Sequence, residues 1–210
     1  MSGDFFGEGF AELPVMGIFR GLSPERTVEL CNAAWDVGVS LVEVPVMSPR
    51  EIPVLEAAVA AGRDRGRSVG AGTILSADQL ESVAAVGAAF TVAPGVDVDV
   101  LDRSVELGIP HLPGVATSTD IATAVSRGWG WVKAFPAAQL TPGWVRAQRG
   151  PFPRVRFVAT GGITSGNAQA FLDAGCSAVA VGSALTDPDA VSSFMGLVAG
   201  GPVSERRQRT

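Results

Sequence analysis

Eight times along this chain a short apolar run is followed by a capped helical stretch, and that beat constrains the fold more than any single residue. VMGIFR (15–20) leads into SPERTVELCNAAWDVG (23–38), where Ser23 is a helix N-cap, Pro24 the first helical position and Gly38 the stop. LVEVPV (41–46) leads into a helix over 49–65, and SVGAGTI (68–74) into one over 76–87, capped by Ser76 and stopped by Gly87. FTVAPG (90–95) precedes a helix at 97–108, and IPHLPGV (109–115) one at 117–128. WVKAFP (131–136) precedes a less regular helical segment at 141–148. VRFVATGGI (155–163) precedes 164–175, and SAVAVGSAL (177–185) precedes 187–198.

The strands are near-continuous apolar runs, the pattern of a parallel sheet covered on both faces. Eight such units joined by short connections predict one (β/α)8 TIM barrel, an α/β fold, with a short N-terminal helix near residues 5–12. An open doubly wound sheet is the alternative, but the first turn, RGLSPE, has no glycine fingerprint. Nothing between units resembles a linker. We therefore expect a single domain over residues 1–210, with an ordered core of about 13–198 and a flexible tail at 201–210.

Composition narrows the function classes. A net charge of −5 argues against nucleic-acid or membrane-surface partners, the arginines at 206, 207 and 209 belonging to the expected tail. No apolar run reaches the roughly 18 residues of a membrane span. The first ten residues lack a basic leader segment, so a cytoplasmic protein is expected. His111 is the only histidine, which excludes a multi-histidine metal site, and no paired-acid motif appears. Its place near the start of a strand reads as a core residue. Cys31 and Cys176 read as buried thiols, not a disulfide. A metal-free protein is expected.

In a barrel, the residues at the C-terminal ends of the strands build the active site. Here they are Arg20, Glu43, Thr73, Pro94, the PGVATST turn, Lys133, Thr160-Gly161-Gly162 and Gly182-Ser183. Lys133 is the only lysine among sixteen basic side chains. Arginine stays protonated, whereas a buried lysine can lose its proton and act as a nucleophile. Glu43 and Lys133 each interrupt an otherwise apolar strand. Pointing outward they would meet the apolar backs of helices; pointing inward they share the barrel mouth, the less costly arrangement. Alternation puts Phe135 on the face of Lys133. Such a pair suits carbonyl chemistry through a Schiff base, with Lys133 as nucleophile and Glu43 relaying protons.

TGGI and VGSAL place glycines and small hydroxyls at adjacent strand ends, where backbone N–H groups can cradle a phosphate: Gly161, Gly162, Gly182 and Ser183. GAGT (70–73) lacks the rest of a dinucleotide fingerprint; its glycines are expected to let substrate approach the backbone.

These motifs together resemble the class I pyruvate aldolases that cleave 2-keto-3-deoxy-6-phosphogluconate or 2-keto-3-deoxy-6-phosphogalactonate. The resemblance runs from about residue 13 to 198 and is carried by IFRG, VEVPVMSP, VGAGTI, APG, PGVATSTD, VKAFPA, TGGI and VGSAL. It implies a Schiff base on Lys133, general acid/base work by Glu43, and substrate contacts by Arg20 and Thr73, with Pro94, Phe135 and Thr160 around them. It also implies phosphate at Gly161, Gly162 and Ser183, a homotrimer, and no cofactor. Met47 departs from the pattern: gluconate-type enzymes tend to carry arginine in this segment, and galactonate-type enzymes asparagine. The neighbouring Pro45, Ser48 and Pro49 lean to the galactonate type. A 4-hydroxy-2-oxoglutarate aldolase, a phosphate-binding barrel isomerase and a non-catalytic sugar-phosphate binding protein remain alternatives.

Overall fold

The structure is a computed structural model describing residues 4–182 together with 185, 187, 189–191 and 194. Ser183, the tail at 201–210 and much of the helix expected at 187–198 lie outside the described residues. In chain order the elements are α1 (Phe5–Gly9), β1 (Val15–Ile18), α2 (Pro24–Asp36), β2 (Leu41–Pro45), a 3-10 turn (Pro49–Glu51) and α3 (Ile52–Asp64). There follow β3 (Ser68–Gly72), α4 (Ala77–Val86), β4 (Phe90–Val92), α5 (Val98–Leu107), β5 (His111–Leu112) and β6 (Gly114–Val115). The remainder is α6 (Ser118–Ser126), β7 (Trp131–Ala134), α7 (Ala137–Arg149), β8 (Arg156–Thr160), α8 (Ala168–Asp173) and β9 (Ala178–Val181).

All strand pairings are parallel, in the order β5-β4-β3-β2-β1-β9-β8-β7-β6. β5 and β6 are two pieces of one barrel strand, parted only by Pro113. Proline has no N–H to give the ladder, so the pairing breaks there. Its carbonyl still accepts from Lys133 N at 2.8 Å. Because the two ends of the sheet are joined by the chain itself, nine assigned strands make the eight-stranded barrel that the sequence predicts.

Alternation sorts the side chains into two cores. Val42, Val44, Val69, Ala71, Val132, Ala134, Phe157 and Val179 point outward against the helices. Met16, Ile18, Leu41, Phe90, Val92, Leu112, Val158 and Ala180 fill the interior. His111 belongs to the outer wall: its Nδ1 lies 2.8 Å from Thr91 Oγ1 and its ring edges onto Trp129, so it is a satisfied core residue. Burial holds it far below the usual histidine range, at about 3. Cys31 and Cys176 are free buried thiols, pushed up to about 12 by burial.

The expected N-terminal helix forms and has a structural task. α1 closes the floor of the barrel, its Phe6 ring 5.7 Å from Phe90 and 6.0 Å from Trp131, and its Phe10 ring 5.5 Å from Trp131. Asp4 caps the helix through Gly7 N, accepts from Trp131 Nε1 at 2.8 Å and pairs with Arg156. Phe6 is 4% exposed. Truncating it leaves a cavity between α1 and the floor, so Phe6→Ala is expected to cost about 3 kcal/mol or more in denaturant unfolding. A loss under about 1 kcal/mol would show that α1 only rests on the barrel.

The segment expected as a helix only from 141 is helical from Ala137, with a kink at Thr141 before Pro142. Proline cannot continue a helix from the preceding turn but starts one well, so α7 is two short helices end to end. No described helix is long and apolar enough to cross a membrane.

Candidate active site

Lys133 sits on β7 and Glu43 on β2, and both point into the barrel interior, as alternation from Trp131 and Leu41 requires. Each is nearly sealed from solvent, Lys133 4% exposed and Glu43 0%. By contrast, Arg26, Arg65, Arg103, Arg127 and Arg156 lie at the surface in ion pairs with carboxylates. The lone lysine thus occupies a site unlike those of these arginines.

Burial, above all, holds the Lys133 amine below the ordinary lysine value; the Glu43 carboxylate opposes this and the Arg20 charge adds to it. Burial likewise holds Glu43 above the usual carboxylate range, against the pull of Lys133 and Arg20. Both shifts favour the neutral forms, an unprotonated amine beside a protonated acid. Lys133 Nζ lies 5.0 Å from the centroid of the Phe135 ring. Neither carboxylate oxygen of Glu43 has a hydrogen-bond partner among the described residues. A buried acid with no partner is costly as pure structure and is free to receive a substrate hydroxyl.

The glycines of GAGT prove to serve the protein's own side chains. A Cβ on Gly70 would run into the Phe90 ring, and one on Gly72 into the Glu43 carboxylate. The expectation that both make room for substrate is therefore corrected: each empty position is where another strand's side chain crosses the barrel.

A cavity of about 570 Å³ opens above Lys133. Arg20, Phe135, Thr160, Gly161, Gly162 and Gly182 line it, together with an apolar wall that includes Phe19, Leu30 and Ile163. Thr160 Oγ1 is buried without a hydrogen-bond partner among the described residues. Gly161 and Gly162 have φ of 95° and 72°, a conformation open to glycine but strained for other residues. Their carbonyls accept from Ala138 N at 3.0 Å and Asn167 Nδ2 at 2.8 Å, which ties the turn down.

Among the described residues, four predicted ones are not on the cavity wall: Glu43, Thr73, Pro94 and Met47. Glu43 is wholly buried. Thr73 and Pro94 follow β3 and β4, on the far side of Glu43 from β1 and β9. Met47 is 50% exposed on the loop after β2. Sequence reasoning missed Phe19, one residue before the predicted Arg20 and wholly apolar. It also missed the part played by Gly72, for which the only signal was a glycine in register with β2.

A family model described as KDPG and KHG aldolase matches residues 8–194. A 2-dehydro-3-deoxy-6-phosphogalactonate aldolase of Escherichia coli (strain K12) is 33% identical over 175 residues, covering 83% of this chain and 85% of that protein. The solved structure described as native KDPGal superposes with a TM-score of 0.82 at 30% identity, covering 89% of this chain and 93% of that one. The KDPG aldolase from Legionella pneumophila, with pyruvate captured at low pH as a covalent carbinolamine intermediate, superposes with a TM-score of 0.80 at 30% identity, covering 92% and 96%.

Proposed function

The chain belongs to the KDPG and KHG aldolase family, and from that premise we propose how its own residues carry the reaction. It is a pyruvate-dependent class I aldolase, a carbon–carbon lyase. Its substrate is a 2-keto-3-deoxy-6-phospho sugar acid of galactonate or gluconate type, cleaved reversibly to pyruvate and glyceraldehyde 3-phosphate. The observation that carries the mechanism is the pairing of a desolvated Lys133 with an unpartnered, buried Glu43 in one barrel interior.

In the neutral form that burial favours, Lys133 Nζ adds to the C2 carbonyl; the protonated Glu43 then gives its proton to the departing hydroxyl, so that water leaves, an iminium forms and Glu43 is left as the carboxylate. Glu43, directly or across one water, takes the C4 hydroxyl proton as the C3–C4 bond breaks. The bonding pair moves into the iminium to give an enamine, and the aldehyde leaves. The proton held by Glu43 returns to C3, and hydrolysis of the pyruvate imine regenerates the amine. Arg20 faces the same cavity as Lys133 and supplies a fixed positive charge for a substrate anion. The glycine turn at 161–162, with Gly182 and Ser183, offers backbone N–H groups to the phosphate. Thr73 and Pro94 complete the pyruvate side, and Phe135 walls the lysine. The homotrimer is the assembly we assign by resemblance, and the cytoplasm the location we assign from the composition.

Borohydride reduction in the presence of pyruvate, followed by peptide mass spectrometry, is expected to place a pyruvate-derived adduct on Lys133. Its absence at saturating pyruvate would overturn the mechanism. The family description also covers KHG aldolases, so the same assay should be paired with turnover of phosphorylated and unphosphorylated substrates. Preference for the phosphorylated acid is the expected result; equal turnover would favour 4-hydroxy-2-oxoglutarate or a related 2-keto-4-hydroxy acid. An isomerase or a sugar-phosphate binding protein would trap no pyruvate at all.

A further inference from the structure

The loop after β3 is held by a side chain with no part in the reaction as described. Thr73 has φ of 64°. For a β-branched residue that is an outlier, and such strain persists only where the surroundings over-determine it. Part of the restraint is backbone: Val46 N donates to Gly72 O at 2.9 Å, and Ile74 N to Val92 O at 3.1 Å. The rest comes from Gln79. Its Nε2 donates to Thr73 O at 3.0 Å and to Val46 O, while its Oε1 accepts from Leu75 N at 2.9 Å. Two carbonyls and one N–H leave a single assignment for the two ends of the amide.

One carboxamide therefore ties three backbone groups and joins the loop after β2 to the loop after β3. Gln79 is the third helical residue of α4, whose N-cap Ser76 accepts from Gln79 N at 3.2 Å. In an ordinary Ser-x-x-Gln capping box the glutamine reaches back to the N–H of the cap itself. Here it reaches one residue further, to Leu75, and on to the rim of the barrel beside Glu43.

We propose that Gln79 is a positioning residue for the aldolase reaction, holding Thr73 in its strained backbone conformation and so setting where its hydroxyl and main chain meet the pyruvate half of the substrate. This rests on the assignment of Thr73 to that half. Any side chain that keeps the helix but loses the two donors releases the loop, and Thr73 relaxes toward negative φ.

The test is the pyruvate concentration at half-maximal borohydride trapping, measured for wild type, Gln79→Ala, Gln79→Glu, Thr73→Gly and the Gln79→Ala/Thr73→Gly double variant. Both Gln79 variants are expected to raise it about tenfold, with the limiting trapping rate within about twofold of wild type. In the Thr73→Gly background, where glycine needs no restraint, Gln79→Ala is expected to add less than about twofold. Should Gln79→Ala fold poorly, Gln79→Glu keeps the acceptor for Leu75 and carries the comparison. A Gln79→Ala protein that melts earlier but saturates at the wild-type pyruvate concentration has lost only structure and overturns the proposal. So does a full effect of Gln79→Ala in the Thr73→Gly background. A wild-type protein that traps no pyruvate overturns the aldolase mechanism itself, and a normal wild type beside unchanged Gln79 variants overturns this inference alone.

Discussion

Lys133→Arg lowers kcat/KM for sugar-acid cleavage by roughly 10⁴-fold or more and leaves the barrel folded. The substitution keeps a long basic side chain on β7 and the outward packing of Val132 and Ala134, which helps hold that strand against its helices. It removes the one property the reaction needs. A guanidinium does not lose its proton in a protein, so no imine forms, however well the substrate is bound. Pyruvate release measured against substrate concentration, beside circular dichroism and a melting curve, separates lost chemistry from lost fold. Activity within about 100-fold of wild type would mean that Glu43 drives bond cleavage by proton abstraction alone, without the electron sink.

The fold was legible because its signals are local and repeated. Ser23 and Ser76 accept the backbone N–H three residues on, and Gly87 and Gly108 end their helices at φ of 98° and 67°, as their sequence positions imply. The inward placement of Lys133 and Glu43 followed from alternation and the cost of burying a lone charge against helices. What stayed hidden depends on contacts between strands distant in sequence. No pattern around GAGT says that Phe90 fills the space over Gly70, or that Glu43 occupies the space over Gly72. The split at Pro113 was present as a residue, but its effect appears only once a neighbouring strand needs the missing N–H. Gln79 carries no signal in the sequence beyond its place in a Ser-x-x-Gln cap. Its reach to Val46, thirty-three residues earlier, exists only after the second and third strands pair.

Glu43→Gln separates the two ways in which that carboxylate acts on the lysine. As a proton relay it is worth about 10²- to 10⁴-fold, and cleavage should fall by that factor. As a charge, Glu43 is the one group that raises the Lys133 pKa, against burial and Arg20. Removing the charge lowers that pKa further, and the nucleophile is the neutral amine. The acid limb of the pH profile for pyruvate trapping should therefore move to lower pH in the variant, even as every rate declines. An unmoved or raised midpoint would mean that the two groups do not feel each other. Stability carries an independent sign. With its folded pKa raised, Glu43 binds a proton more tightly in the barrel than in the unfolded chain, where a glutamate titrates near about 4.3. Its contribution is thus fully present below that value and is lost as pH rises through the folded pKa. Lys133 slopes the other way: the unfolded chain holds its proton up to about 10.4, so stability rises with pH from the folded value to that point. Glutamine removes the first slope and leaves the second. A Glu43→Gln protein should accordingly be at least as stable as wild type at neutral pH, and its stability curve should no longer fall above pH of about 4.3 from this residue. Gaining or holding stability while losing turnover is the behaviour of a buried acid kept for chemistry, and a large loss of stability would instead make Glu43 part of the scaffold.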